Sequence, residues 1–266
     1  MTDISLLFEP PFARVVLNRP ERRNAISRAM WRALPAIRTA IEARQDALVV
    51  LVEGRGGHFS AGADISEFGE VYRDAAAARD YGDAVQDGLK ALIDLDRPSI
   101  AVLQGNAVGG GLGLALACDL RFCAADAYLA VTPAKLGLVY GHAETQRLVE
   151  LVGPSRAKDL LFTGRRIETE EALAIGLIDR RIETGLHDTA LGYARGLADL
   201  SQASIRGAKR AVDAIASGMT VETPAFRALV ESAALGVDFA EGRAAFAEKR
   251  TAKFCSRDAT FPLPPG

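Results

Sequence analysis

Three consecutive glycines at positions 109–111 have a type and spacing that suggest chemistry. Residues 99–103 before them are a short apolar segment typical of a buried strand, and residues 112–117 after them are typical of a buried helix. Glycines at such a turn let the backbone approach a ligand closely, and the unpaired N–H groups that begin a helix suit negative charge. Tight packing of two layers of chain explains the glycines equally well.

A second stretch of small residues, HFSAGADI at positions 58–65, favours the chemical explanation. It follows another apolar segment, residues 47–52, and a glycine-rich turn at 54–57. Each predicted strand is therefore followed by a loop with small residues and exposed N–H groups. Two such loops together can supply two hydrogen-bond donors to one developing oxyanion.

The stretches FSAGADI and QGNAVGGG resemble the corresponding loops of the enoyl-CoA hydratase/isomerase family, also called crotonases. The resemblance implies that the two loops form an oxyanion hole for the carbonyl of a coenzyme A thioester. It assigns the two donors to the backbone N–H groups of Ala63 and Gly110. It also implies that no cofactor is needed, because coenzyme A is part of the substrate.

Contacts to coenzyme A are implied by matches near both ends of the chain. NRPERRNA resembles a family segment near the adenine and phosphates, and EGRAAFAEKRTAKF resembles the family's C-terminus, which reaches coenzyme A, sometimes across a subunit contact. The implied substrate-binding residues are Arg23, Ala25, Ala61, Asp64, Ile65, Phe246 and Lys249. As alternatives, an arginine here is simply solvated, and Asp64 holds the backbone of its loop.

The chain departs from the family where the hydratases carry two glutamates. One follows the middle glycine of GGG by three residues and the other lies in a PExKLG segment, and the positions taken for them here are Gly113 and Pro133. Adding water to a conjugated double bond needs a base for the water and an acid for the α-carbon. Ordinary hydration is therefore doubtful, whereas the groups that stabilise an enolate remain.

The segment TPAKLGLVY, which begins at Thr132 and ends at Tyr140, partly resembles the TPxxLGxxY segment of methylmalonyl-CoA decarboxylases. Loss of carbon dioxide generates the enolate without a base, and either residue could orient the substrate carboxylate or deliver a proton. The histidine and glutamate of those enzymes are missing at the Ala63 and Gly113 positions. The alternative for Tyr140 is packing.

Glu144, in the segment GHAET, has two interpretations: a charge that stabilises a helix N-terminus, or a displaced acid or base that points into the site.

Two functions are consistent with these motifs. The first is an enzyme that stabilises a thioester enolate, either a decarboxylase-like lyase or an isomerase, with weak hydratase activity at most. The second is a non-catalytic acyl-CoA-binding scaffold or sensor. The intact donor loops favour the enzyme, because a pure binder needs no oxyanion hole.

The elements that position these loops follow a recurring strand–strand–helix pattern over residues 1–200. This pattern predicts an α/β fold, a crotonase-like spiral of ββα units rather than a doubly wound sheet. Residues 201–266 are predicted to be a helical region with too little core of its own, which packs on the spiral or on neighbouring chains as a homotrimer or dimer of trimers. Strands are expected at 13–17, 47–52, 99–103, 120–123 and 128–131, and helices after Ser27 and near 70–95, 144–152, 155 onward, 204–217, 224–236 and 238–250.

Composition limits the class of function. A chain of 266 residues with 49% apolar residues can bury a full core, and its net charge of −2 indicates neither a nucleic-acid nor a membrane partner. No uninterrupted apolar run reaches the ~20 residues that span a bilayer, and the first residues lack a secretory pattern. Three cysteines without a CxxC pair favour a reducing compartment over a disulfide framework or zinc site, which predicts a cytoplasmic location.

Overall fold

The computed structural model describes residues 2–255, which form two β-sheets surrounded by helices. The strands are β1 Ile4–Glu9, β2 Phe12–Leu17, β3 Val49–Gly54, β4 Ser99–Leu103, β5 Asn106–Val108, β6 Leu120–Ala124, β7 Tyr128–Ala130, β8 Arg166–Glu168 and β9 Arg180–Ile182. The helices are α1 Arg28–Glu42, α2 Phe68–Val71, α3 Ala75–Ile93, α4 Gly110–Leu116, α5 His142–Thr163, α6 Thr169–Ala174, α7 Leu186–Ala198, α8 Gln202–Ala216, α9 Pro224–Ala234 and α10 Val237–Glu248.

The larger sheet has six strands in the order β1-β2-β3-β4-β6-β9, and all its pairs are parallel except β1 with β2. Strands β3 and β4 are buried along almost their whole length. This fits their continuous apolar sequences, because a parallel sheet is covered by helices on both faces.

The smaller sheet has the order β5-β7-β8, so the two strands before α4 and the two before α5 are divided between the sheets. Strand β4 lies in the large sheet, β5 in the small one and α4 follows; β6, β7 and α5 repeat the pattern. These are turns of a ββα spiral, and the predicted α/β spiral fold is confirmed. The pairing of β5 with β7 places Val108 opposite Ala130, which brings the glycine loop beside the end of β7.

Two predicted helices, 144–152 and 155 onward, are assigned as one helix, α5, with a break inside it. Gly153 has φ 78° and precedes Pro154, so the backbone turns there without ending the element. Ser27 caps α1 as predicted, since its hydroxyl accepts a hydrogen bond from the N–H of Met30 at 3.3 Å.

Beyond Leu200 the described chain is helical, in α8, α9 and α10, and residues 256–266 of the predicted helical region lie outside the described part. Helix α8 is fixed to the spiral by Lys209, whose Nζ donates to the carbonyl of Arg97 at 3.0 Å and to Oδ2 of Asp119 at 2.8 Å. Large exposed apolar side chains on or beside these helices are Val212, Ile215, Val221, Val230, Leu235, Val237, Phe239 and Phe246. Among residues 2–255, no helix is long and apolar enough to cross a membrane.

Candidate active site

The loop that follows β3 is held by its own serine. The Ser60 hydroxyl donates to the carbonyl of Asn24 at 2.8 Å and accepts from the N–H of Gly62 at 3.1 Å. The carbonyl of Gly62 in turn accepts from the N–H of Ile26 at 2.7 Å. These bonds hold Gly62, and its carbonyl belongs to the same peptide unit as the N–H of Ala63, so the orientation of that N–H is fixed.

Asp64 closes the same loop. Its carboxylate accepts from Nη2 of Arg19 at 2.8 Å and from the N–H of Ser66 at 3.1 Å, where it caps the short 3₁₀ helix Ile65–Glu67. Burial by itself would raise the pKa of Asp64, but the hydrogen bonds from Ser66 and Arg19 outweigh it and hold the pKa below its usual value. The charged carboxylate therefore holds the loop backbone; its predicted contact with coenzyme A stays a prediction.

The glycine loop approaches the serine loop so closely that glycine is required. A Cβ atom on Gly111 would lie 2.6 Å from Cβ of Ser60 and 2.9 Å from the Ser60 carbonyl oxygen. On the other side, the N–H of Gly109 donates to the carbonyl of Ala130 at 2.9 Å. Gly111 therefore bears out the packing interpretation of the triple glycine, while the close approach of a ligand to the Gly110 backbone stays a prediction.

The two predicted donors lie side by side. A Cβ atom on Gly110 would be 3.7 Å from the backbone nitrogen of Ala63. Neither the N–H of Ala63 nor that of Gly110 has a hydrogen-bond acceptor among residues 2–255. Two adjacent unpaired N–H groups form the arrangement that stabilises a developing oxyanion.

Glu144 fills the space beside Gly113. A Cβ atom on Gly113 would lie 2.9 Å from Cγ of Glu144, and the Glu144 residue is only 6% exposed. Its Oε2 accepts from Nε2 of Gln86 at 2.9 Å, while Oε1 of Gln86 accepts from the N–H of Ala143 at 2.9 Å. Gln86 therefore fixes both the first turn of α5 and the carboxyl group that this turn carries.

Burial raises the pKa of the Glu144 carboxyl above its ordinary value, and the hydrogen bond from Gln86 opposes part of that rise. A buried carboxyl with a raised pKa keeps its proton to higher pH than a free carboxyl does, and it can act as an acid or as a base. Such groups cluster at functional sites. Glu144 is thus the described carboxyl in this region best suited to acid–base chemistry.

Tyr140 uses its hydroxyl on the glycine loop. The hydroxyl donates to the carbonyl of Gly109 at 2.7 Å, and burial raises its pKa, so the proton stays on the oxygen. Oγ1 of Thr132 lies 3.1 Å from the position that a Cβ atom on Gly109 would take. The predicted proton transfer by either residue stays a prediction.

Pro133 is buried and begins the 3₁₀ helix Pro133–Leu136. Counted back from the KLG that both segments share, the family's glutamate position falls on Pro133. Neither Pro133 nor Gly113 carries a carboxylate.

The predicted coenzyme A residues form two groups. Arg23 is exposed with φ 50°, its carbonyl accepts from the N–H of Ala61 at 2.8 Å, and the carbonyl of Ala25 accepts from Nη1 of Arg19. Ile65, which follows Asp64, is exposed. The first group therefore adjoins the serine loop. The second group, Phe246 and Lys249, lies at the end of α10, where Phe246 is 88% exposed in the single chain.

Gln86 was not predicted as a site residue from the sequence. It lies on α3, one turn before the buried Leu89, and this place at the border of the buried face is the sequence feature that could have indicated a role for it. Cζ2 of Trp31 lies 3.3 Å from the position that a Cβ atom on Gly110 would take. It therefore bounds the donor site.

Comparison with known proteins extends the match from these loops to nearly the whole chain. The family model for enoyl-CoA hydratase/isomerase matches residues 9–257. The chain belongs to the enoyl-CoA hydratase/isomerase family. Enzymes of this family act on acyl-CoA thioesters, which agrees with the substrate class that the two loop motifs imply.

Named relatives include a short-chain-enoyl-CoA hydratase of Clostridium acetobutylicum, 32% identical over 94% of this chain and 96% of the relative. A crotonyl-CoA hydratase of Syntrophomonas wolfei is 33% identical over 96% of this chain and 98% of the relative. Among solved structures, an enoyl-CoA hydratase/isomerase family protein from Hyphomonas neptunium has a TM-score of 0.93 and 43% identity, covering 96% of this chain and 98% of that one.

Proposed function

We propose that this family member is an isomerase of unsaturated acyl-CoA thioesters, which moves a double bond through an enolate with Glu144 as its acid–base residue. The observation that carries the proposal is the place of Glu144, whose buried carboxyl fills the space beside Gly113 on the helix that supplies the Gly110 donor. A single carboxyl of raised pKa suits a reaction in which one proton leaves and returns.

In the proposed reaction the thioester oxygen accepts hydrogen bonds from the N–H groups of Ala63 and Gly110. The Glu144 carboxylate removes a proton from the carbon α to the thioester, and the electron pair moves onto the oxygen, which forms a dienolate. The resulting carboxylic acid returns the proton to the γ-carbon, so the double bond shifts and atoms balance. The reverse direction uses the same groups.

Hydration is the weaker alternative, because it needs two proton-handling groups and the two family positions hold Gly113 and Pro133. Decarboxylation loses support from geometry, because the Tyr140 hydroxyl donates to the Gly109 carbonyl. A substrate carboxylate would also be repelled by Glu144 whenever that residue is charged.

The test is a substrate panel with one matched pair of variants. Wild type should convert 3-hexenoyl-CoA to the conjugated 2-isomer, with slower hydration of crotonyl-CoA and no loss of carbon dioxide from methylmalonyl-CoA. Glu144→Gln should lower kcat for isomerisation by ~10²–10⁴-fold. Glu150→Gln is the control, since Glu150 lies on the same helix and pairs with Arg147 on its outer side.

Rapid hydration by wild type, or isomerisation that survives Glu144→Gln, would contradict the proposal. Binding of acyl-CoA at about micromolar Kd, worth about −8 kcal/mol, without any turnover would instead support the scaffold or sensor alternative. Deuterium uptake at the α-carbon of butanoyl-CoA in heavy water distinguishes that case, because a pure binder exchanges no proton.

We also infer a homotrimer or dimer of trimers, supported by the exposed apolar side chains of the C-terminal helices and by the predicted contact of Phe246 with coenzyme A.

We propose a cytoplasmic location, which is supported by three free cysteines, two of them buried.

A further inference from the structure

We infer that Tyr140 is a positioning residue that orients and polarises the peptide whose N–H stabilises the enolate. The carbonyl oxygen of Gly109 accepts two hydrogen bonds, one from the Tyr140 hydroxyl at 2.7 Å and one from the N–H of Gly113 at 3.0 Å. That carbonyl belongs to the same peptide unit as the N–H of Gly110. The inference rests on the proposed function, in which the Gly110 N–H is a donor to the thioester oxygen.

Peptide geometry transmits the contact. A trans peptide is planar and its C=O and N–H point in opposite directions, so fixing one fixes the other. With the Gly109 oxygen held by Tyr140, the N–H of Gly110 points away from that tyrosine.

The peptide needs such support because Gly109 has φ 52° and ψ −125°, a conformation that L-residues avoid and that only glycine adopts readily. The N–H of Gly109 is fixed by Ala130, which leaves rotation about the Gly109 ψ angle to be fixed from the carbonyl side. The N–H of Gly113 supplies one bond there. The tyrosine hydroxyl supplies the second and reaches the loop from 31 residues away in sequence.

Polarisation adds to orientation. A hydrogen bond accepted by a carbonyl strengthens the N–H of the same peptide as a donor, by roughly 10–30% per bond. Burial raises the pKa of the Tyr140 hydroxyl, so this group stays a donor throughout the neutral range. Its proton is directed at Gly109, which separates this role from the proton transfer assigned to Glu144.

The experiment measures the thioester carbonyl directly. Butanoyl-CoA labelled with ¹³C at the carbonyl is bound to the full chain, and isotope-edited infrared difference spectra give the carbonyl stretch. Wild type should lower this frequency relative to free butanoyl-CoA. Tyr140→Phe should lose roughly 10–30% of that downshift. On 3-hexenoyl-CoA its kcat should fall about tenfold, less than the 10²–10³-fold cost of deleting a donor, with KM and the acidic limb of the pH profile unchanged.

Tyr193→Phe is the matched control. Tyr193 is a half-buried tyrosine that packs edge-on against Phe122, so its variant removes a hydroxyl outside the site. It should keep the wild-type frequency and kcat.

Each outcome is decisive. If wild type binds butanoyl-CoA without a downshift, the oxyanion hole is absent, and the proposed function and this inference fail together. If wild type shows the downshift and Tyr140→Phe keeps all of it, the inference alone is wrong. A changed pH limb, or a loss confined to KM, would make Tyr140 a proton-transfer or substrate-binding group and would also overturn it.

A second substitution guards against a variant that does not fold. Replacing Tyr140 with 3-fluorotyrosine keeps the ring and hydroxyl but makes the hydroxyl more acidic and a stronger donor. The downshift should then exceed that of wild type. An unchanged or smaller downshift would overturn the inference.

Discussion

The side chain of Glu144 occupies the space that a side chain at position 113 would need. Because the Glu144 side chain already fills the space that a side chain at Gly113 would enter, glutamate at both positions would clash. The carboxyl reaches the neighbourhood of the donor loops from the first turn of α5 rather than from α4.

The raised pKa of Glu144 predicts how Glu144→Gln changes stability. A folded-state pKa above the ordinary value of 4.5 means that the folded state binds the proton more tightly than the unfolded state. The stabilising contribution is then complete below pH 4.5 and is lost as pH rises through the folded pKa. Glu144→Gln should therefore increase the free energy of unfolding at pH 7 by about 0.5–2 kcal/mol, although the same change is expected to lower kcat.

Urea denaturation at several pH values checks this prediction. The difference between the two proteins should disappear at about pH 4.5 and below. Glu150→Gln should stay within about 0.5 kcal/mol of wild type. A Glu144→Gln protein that is less stable at pH 7 would show that the charged carboxylate is well accommodated.

The hydrogen bond from Gln86 lowers the pKa of Glu144, whereas burial raises it. Gln86→Met removes the donor that holds the pKa of Glu144 down, so the acidic limb of kcat/KM should move to higher pH. Below that limb the rate falls about tenfold per pH unit. Gln146→Met is the control, because Gln146 contacts the exposed Glu150. A limb that stays in place would mean that Glu144 is not the titrating base.

At the scale of elements, two strand ends and one helix form the donor site. Strand β3 leads into the serine loop and β5 into the glycine loop, and α4 begins where the two loops touch. The parallel arrangement of β3 beside β4 brings both loops to one edge of the fold. The distance between the donors is therefore set by the contact of Gly111 with Ser60.

Gly111→Ala tests that contact. The added methyl group would meet the Ser60 backbone at 2.9 Å, so the two loops must separate, at a cost of about 1–3 kcal/mol in stability. Activity should fall further than stability explains, because the donors move apart. Gly82→Ala, with no atom within 4 Å of the new Cβ, should be neutral or up to about 1 kcal/mol stabilising. Urea midpoints and kcat measure the two effects, and equal midpoints for both variants would contradict the prediction.

At the scale of the whole molecule, the C-terminal helices of the single chain carry several large exposed apolar side chains. Leu235 is 88% exposed and Val237 and Phe239 follow it at the start of α10. These residues extend the apolar surface toward Phe246. Association of several chains would cover it.

Assembly is tested by sedimentation equilibrium at micromolar concentration. Wild type should be a trimer or a hexamer, and Leu235→Glu should shift it toward monomer, because a buried charge in the interface is costly. Leu173→Glu, on α6 outside the C-terminal helices, should keep the wild-type mass. A monomeric wild type would rule out the proposed assembly.

The sequence by itself determined the family, the spiral fold and the position of the two loops that lie side by side. These features depend on local patterns: apolar strands such as 99–103, glycines at turns, and a helix apolar on every side. Strand β4 was predicted with its observed bounds for this reason. Strand β1 and helix α7 were not predicted.

Tertiary structure alone decided which side chains lie beside the glycine loop and α4. Gln86 and Glu144 are 58 residues apart, and their hydrogen bond exists because α3 packs beside the start of α5. The direction of the Tyr140 hydroxyl toward Gly109 likewise depends on how the chain returns after β7. Local propensity carries no information about such long-range contacts, because the packing of distant elements fixes where each side chain points.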